Sequence, residues 1–393
     1  MGEEFIAERK RSVYAQVDAL APQLRDIAER IHAQPETSFG EYFASGLLAD
    51  TVEKAGFFVE RGAGGLETAF KAIYRGATPR PAVAFLAEYD ALPEVGHACG
   101  HNLIAGAALG AAVAVTRAAD PLPGSVALIG TPAEEEGGGK VTLARAGVFD
   151  DVDAALMFHP ANKNDLWKYA MASQVVRIEF FGEAAHSASA PEEGINALDA
   201  VIGTFNNINA LRQHLAGDVR IHGIVVDGGK APNIVPDYAS ALFYVRSLDD
   251  ERCLEVVEKV RNCARGASTA TGARLAFENT GGYKTLVTNH PLSDAFSENM
   301  EDLGVSFDGT DPWDDLGSTD LGDVSHIVPA IHPYVAIGPE SMGYHTTAFA
   351  EAARSEQGYR TMLTAAKAMA ATAVDFLYDE DFRARVRESF RPS

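Results

Sequence analysis

The stretch from Asp90 to His101 places two histidines, a cysteine and a carboxylate, His97, His101, Cys99 and Asp90, within twelve residues, with glycines at positions 96 and 100. An apolar run, Ala82-Val83-Ala84-Phe85-Leu86, precedes it, and an alanine-rich stretch, His101–Ala118, follows. The run reads as a buried strand and the stretch as a helix, so the donor side chains leave a core strand on their way into a helix. A metal site needs this arrangement: donor atoms converging on one point, with glycine where the backbone turns sharply. The chain is therefore expected to build an α/β layer around a metalloenzyme site.

The rest of the sequence alternates accordingly. Helices are predicted over Phe5–Ile31, Glu41–Ala55, His101–Ala118 and Lys140–Ala146, and strands over Leu66–Tyr74, Ala82–Glu88, Ser125–Gly130 and Asp153–Phe158. That rhythm predicts a mixed or parallel sheet. Near Ala172 it changes. Strands Gln174–Phe181, Val219–Val226, Ala239–Arg246 and Arg274–Asn279 enclose helices Ile195–His214 and Asp249–Ala267, the second capped by Asp249 or Asp250. The βαββαβ order is ferredoxin-like. Helix–strand alternation then resumes with Pro291–Leu303, Ala330–Ile337 and Ser355–Leu377. At 393 residues two cores are expected. Because candidate ligands lie on both sides of the α+β segment, an insertion is favoured over a plain tandem. The expected division is a discontinuous metal-binding domain, 1–171 and 287–393, with an inserted domain at 172–286.

A net charge of −22 with no cluster of Lys or Arg argues against nucleic acid and anionic membrane surfaces as partners. Three cysteines argue against a disulfide framework and for a reducing compartment. Cys253 and Cys263 fall in an amphipathic helical pattern and read as ordinary buried thiols, which leaves Cys99 as the exception. The start of the chain lacks a basic and apolar leader pattern, and no apolar run is long enough to span a bilayer. A soluble, cytoplasmic protein is expected.

Four regions supply metal-type donors at strand ends or turns: Cys99 with His101, the run Glu134-Glu135-Glu136, His159 and His345. Taken singly, each admits an ordinary structural role. Together they offer more donors than one tetrahedral ion uses, which points to two ions sharing a ligand. Adjacent carboxylates in extended chain point to opposite sides, so one can bind metal while its neighbour faces a water. A ligand beside a general base is what metal-assisted hydrolysis requires.

Five motifs, Gly96-His97-Ala98-Cys99-Gly100-His101, Pro132-Ala133-Glu134-Glu135, His159-Pro160, Gly182–Pro191 and His345-Thr346-Thr347-Ala348-Phe349, together resemble peptidase family M20. The similarity is greatest to its amidohydrolase subfamily, on the side of p-aminobenzoyl-glutamate hydrolases and related dipeptidases. The resemblance implies a zinc-peptidase-like α/β catalytic domain with an inserted ferredoxin-like α+β lid and dimerisation domain. It implies two divalent metal ions per subunit, zinc first with manganese or cobalt as alternatives, held by Cys99, His101, Glu135, His159 and His345. Glu134 would be the general base, Asp90 the carboxylate supporting a ligand, and His186 the histidine that stabilises the oxyanion, often across a homodimer. Asn233 and Arg246 would hold the substrate carboxylate. Asp320 and Ser325 would line the substrate cleft or, equally, cap a strand. Asn102 departs from the pattern, standing where many subfamily members carry Asp, which reads as one carboxylate fewer beside the metals. The implied reaction is hydrolysis of the amide bond in a small N-acyl amino acid or dipeptide. Alternatives are carboxypeptidase or deacylase action on other peptides, and a silent member that binds amino acid conjugates.

Overall fold

The structure, a computed structural model, describes residues 3–118, 121–307 and 316–391. In chain order the strands are β1 (Phe58–Arg61), β2 (Phe70–Arg75), β3 (Ala82–Ala87), β4 (Ser125–Gly130), β5 (Ala154–Leu156), β6 (His159–Ala161), β7 (Ala172–Phe181), β8 (Arg220–Asp227), β9 (Tyr238–Ser247), β10 (Arg274–Tyr283), β11 (Ala330–Ile331) and β12 (Tyr334–Ala336). The chain forms two compact units, Met1–Tyr169 with Leu286–Ser393, and Ala170–Thr285.

The first unit is built on a mixed sheet of order β1-β2-β4-β3-β5-β11. β1 and β2 run antiparallel, as do β2 and β4, whereas β4, β3, β5 and β11 are mutually parallel. Every residue of β3 and β4 is buried, which is why both read as continuous apolar or small-residue runs without alternation. The helix His101–Ala118 is buried along almost its whole circumference. It packs against the helices Glu3–Ala33 and Glu356–Tyr378, and its alanines allow that close approach. A short second sheet pairs β12 with β6 in parallel.

Several elements differ from the sequence expectation. The strand expected over Leu66–Tyr74 begins only at Phe70, and its antiparallel partner β1 was not anticipated because its residues are mostly exposed and lack a period-two pattern. The strand expected over Asp153–Phe158 ends at Leu156, and His159 opens β6 instead. The strand expected over Ala330–Ile337 divides in the same way around His332-Pro333, since proline donates no ladder hydrogen bond. A C-terminal helix, Glu380–Ser389, follows Asp379, whose carboxylate accepts from Phe382 N.

The second unit has the strand order β10-β7-β9-β8, all antiparallel, with helices Ala197–Arg212 and Asp250–Thr271 crossing over. This is the ferredoxin-like arrangement. Asn196 and Asp249 cap the two helices by accepting from backbone N–H groups of the first turn. The inward residues of β7 and β9, Val176, Ile178, Phe180, Ala241, Phe243 and Val245, meet Val256, Val257 and Val260 of the second helix in one core. Phe243 is wholly buried, with its ring centroid 4.7 Å from that of Phe205. Phe243→Ala should destabilise this unit by about 3–5 kcal/mol, measured as lost hydrogen-exchange protection of the β7 and β9 amides.

Candidate metal centre

Four parallel strands, β4, β3, β5 and β11, place their C-terminal ends along one edge of the sheet, where open α/β sheets present their functional residues. Glu88 follows β3, the Pro132-Ala133-Glu134-Glu135 turn follows β4, His159 follows β5 and His332 follows β11. Local sequence shapes each exit. Gly100 has φ 75°, and a Cβ there would come within 2.9 Å of Pro160, so only glycine lets the chain turn into the helix at His101. Gly139 is needed because a Cβ would sit 1.9 Å from the Pro132 carbonyl oxygen. Two non-glycine residues with positive φ lie in the site, Ala133 (60°) and His345 (57°). Such backbone persists where surrounding contacts enforce it and clusters at functional sites.

The donors converge. Cys99, His101 and His159 offer ligand atoms within 4.8 Å of one another, as do Cys99, Glu135 and His345, and His101, Glu134 and Glu135. Cys99 and His101 belong to more than one of these groups, and Glu135 links two of them, which suits two adjacent cations. Asp90 organises the set: Oδ1 accepts from His101 Nδ1 at 2.9 Å and Oδ2 from Glu135 N at 2.9 Å. With Nδ1 engaged, His101 directs Nε2 into the site. His159 does the same, since its Nδ1–H donates to the Pro160 carbonyl at 2.6 Å. His345 Nε2 stands 3.8 Å from Glu135 Oε2.

The chemistry of the donor set fits a cation. Glu88 Oε2, His101 Nε2 and Glu135 Oε1 are buried without hydrogen-bond partners, a costly condition unless something else pairs with them. Burial, with Glu135 and Glu134 nearby, pushes the Cys99 thiol well above its ordinary range, so a cation is needed to make it a thiolate ligand. Burial and the neighbouring carboxylates Glu88, Glu135 and Asp320 likewise push Glu134 well above the usual carboxylate range, opposed by His101.

Sequence reasoning missed the ammonium in this site. Lys140 is wholly buried; its Nζ donates to Glu88 Oε1 at 2.5 Å and Asp320 Oδ1 at 2.6 Å. Asp320 and Glu88 raise its pKa despite burial, so it remains protonated. Nothing local marks it, because a lysine opening a helix after three glycines reads as exposed. His332 was also missed; it is buried, its two ring nitrogens lack partners, and its ring centroid is 5.4 Å from that of His159.

Three expectations need correction. Asp320 does not line an open cleft: it is fully buried, with Oδ2 accepting from Lys140 N at 2.9 Å as well as Oδ1 from Nζ. Ser325 is buried too, its hydroxyl donating to Gly322 O at 2.6 Å and accepting from Val287 N at 2.9 Å, so it braces a turn. Asn102 faces away from the donors, its Nδ2 donating to Ala28 O at 3.3 Å and Ala353 O at 3.0 Å. It ties helices together, and the missing carboxylate there does not alter the donor cluster. Glu136 is exposed and belongs to no donor group among the described residues.

The second unit carries His186, Asn233 and Arg246. His186 is exposed, and its Nδ1 accepts from the N–H groups of Ala188 and Ser189 at 3.3 Å each. In the neutral ring that acceptor role leaves the proton on Nε2, free to donate. Ser187 N donates to Asn233 O at 3.1 Å, and His186 bridges Ile234, so the two loops are joined. Beside them lies a cavity of about 600 Å³ lined in part by Ser187, Asn196, Lys230 and Ile234. Arg246 is elsewhere. β9 pairs Tyr238 with Phe181 near the His186 loop but Arg246 with Ser173 at the far end, ~26 Å along the strand. Arg246 Nε is buried without a partner. One copy of this unit therefore does not bring His186 and Arg246 together.

The family model for peptidase family M20/M25/M40 matches residues 84–374. The chain is 38% identical to the Xaa-Arg dipeptidase of Mus musculus, covering 97% of this chain and 92% of that protein. It is 30% identical to one of the subunits of the p-aminobenzoyl-glutamate hydrolase of Escherichia coli, over 92% and 91% of the two chains. Among solved structures, a putative aminohydrolase from methicillin-resistant Staphylococcus aureus shares the fold at a TM-score of 0.79 and 19% identity, covering 94% of this chain and 100% of that one. A Bacillus subtilis protein described as a dinuclear metal-binding peptidase does so at 0.70 and 22%, covering 92% and 99%.

The strained Ala133 turn is held by Glu41, whose Oε1 accepts from Ala133 N at 2.8 Å and Oε2 from Thr68 Oγ1 at 3.0 Å. Burial raises the Glu41 carboxyl from 4.5 to about 7. A raised acid contributes stability that is fully present below its unfolded pKa and lost as pH rises through the folded one. Glu41→Gln removes that titration, so its melting temperature should gain on the wild type between pH 5 and pH 8, measured by calorimetry across that range.

Proposed function

The chain belongs to peptidase family M20/M25/M40, and from that membership we propose that it is a metal-dependent amidohydrolase of small dipeptides or N-acyl amino acids, working with two divalent ions per subunit. The observation that carries the reading is the convergence of Cys99, His101, Glu135, His159 and His345 beside a separate carboxylate, Glu134, at the C-terminal edge of the parallel strands. Those five residues would hold the ions, with zinc suited to the thiolate and imidazoles and manganese or cobalt to the carboxylate. Bound there, the ions supply Lewis acidity toward the scissile carbonyl and lower the pKa of water.

The protein's own groups do the rest. Glu134 takes a proton from the attacking water and delivers it to the leaving nitrogen. Asp90 holds His101 in one tautomer and one orientation. Nε2–H of His186 donates to the carbonyl oxygen as negative charge develops there. Arg246, whose guanidinium suits a carboxylate, holds that of the substrate.

The separation of His186 from Arg246 supports a homodimer, in which Arg246 of one subunit and the partner's His186 serve the same substrate. The edge strand β8 supplies a surface for it: Ile224, Val225 and Val226 are 64%, 46% and 57% exposed. The second unit then acts as lid and dimerisation domain, hinged near 171–173 and 284–288. No helix among the described residues is long and apolar enough to cross a membrane. Cytoplasmic residence suits a chain whose cysteines, Cys99, Cys253 and Cys263, are all free.

Metal-replete protein should consume one class of a panel of p-aminobenzoyl-glutamate, N-acetyl and long-chain N-acyl amino acids and dipeptides, including some with C-terminal Arg as the mouse relative's name indicates for that enzyme. Glu134→Gln should lower kcat by ~10²–10⁴ with metals still bound, followed by mass spectrometry; near-normal turnover would overturn the assignment of the base. His186→Ala and Arg246→Ala, each impaired alone, should recover about a quarter of wild-type activity when co-expressed, because half the dimers are mixed and each mixed dimer has one intact site. Lack of recovery in a mixed dimer would place both residues in the same subunit's site.

A further inference from the structure

Glu88 has no role in the ligand set or the base assignment above, yet it is wholly buried just beyond β3. Its two oxygens differ. Oε1 accepts from Lys140 Nζ at 2.5 Å, and Asp320 holds that ammonium from the other side. Oε2 has no hydrogen-bond partner and stands 3.5 Å from His101 Nε2, which is also buried without one.

The 3.5 Å between the two atoms is informative. Two ligand atoms ~2.1 Å from one tetrahedral cation stand ~3.4 Å apart. His101 Nε2 is nearer to Glu88 Oε2 than to Glu135 Oε1, which is 3.9 Å away. Glu88, Glu134 and Asp320 further offer oxygens within 4.8 Å of one another. Asp320 has both oxygens engaged by Lys140, so Glu88 Oε2 is the unpaired oxygen directed at the histidine.

We propose that Glu88 is an additional ligand of the ion that His101 holds, donating Oε2 while Lys140 retains Oε1. The proposal rests on the two-ion reading above. The test uses the full chain, stripped of metal and titrated with cobalt(II) alone against a competing chromophoric chelator, with visible spectra recorded throughout. Wild type should bind two ions. Glu88→Gln should bind one of them 10–100-fold more weakly and change the d–d absorption, whose intensity rises as coordination number falls. Binding of both ions within threefold of wild type, with an unchanged spectrum, overturns the proposal. A metal-free melt reports whether Glu88→Gln folds. If it does not, Glu88→Asp decides by the same criteria, since it keeps the charge beside Lys140 but withdraws the oxygen by one methylene. A wild-type chain that holds fewer than two ions overturns the two-ion reading instead, and Glu88 is then judged on the remaining ion by the same spectral comparison.

Discussion

Negative charge packed into a dry strand-end edge is the condition on which the site depends. Glu88, Asp90 and Asp320 are essentially inaccessible to water, Glu134 and Glu135 adjoin them, and Lys140 is the buried ammonium among them. Removing one partner from such a buried network costs about 3–5 kcal/mol, because an unpaired charge is left in low dielectric. One ammonium does not balance this many carboxylates, and Glu88 Oε2, His101 Nε2 and Glu135 Oε1 remain without hydrogen-bond partners. Divalent cations resolve both problems at once, which makes metal binding and the integrity of this edge a single physical question.

The scaffold around that charge is rigid where the chemistry needs it. β3 and β4 are buried on both faces, and the helix leaving His101 is packed on nearly all sides. The donors therefore spring from elements that have little freedom to relax. The strained turn at Ala133 is held by a carboxylate from another part of the chain, Glu41, whose burial makes it a weak acid. Preorganisation of this kind holds the backbone from which Glu134 and Glu135 reach the same cluster as His101.

Much of this was legible in the sequence. The bounds of His101–Ala118 and Ser125–Gly130 follow from composition and flanking turns, and the βαββαβ order of the second unit follows from where period-two patterning replaces helical patterning. The donor residues could be read because their spacing is local: Cys99 and His101 share one turn, and Glu134 and Glu135 are adjacent. For Asp320 and Ser325 a cleft lining and a structural role stayed equally open, because a polar residue in a loop looks the same in sequence whether it faces water or a buried lysine. Asn102 misled because a motif comparison gives the residue type at a position and says nothing about which face of the helix that position occupies.

What the sequence determined by itself, then, was whatever depends on near neighbours: element type, caps, the glycine turns and the local pairing of candidate metal donors. Tertiary structure alone decided the meetings across long separations. Lys140 pairs with Glu88 and Asp320 across 52 and 180 residues, and Arg246 lies at the opposite end of β9 from the His186 loop. Such meetings are set by strand order and register, which arise from the packing of the whole sheet and leave no local periodicity to read.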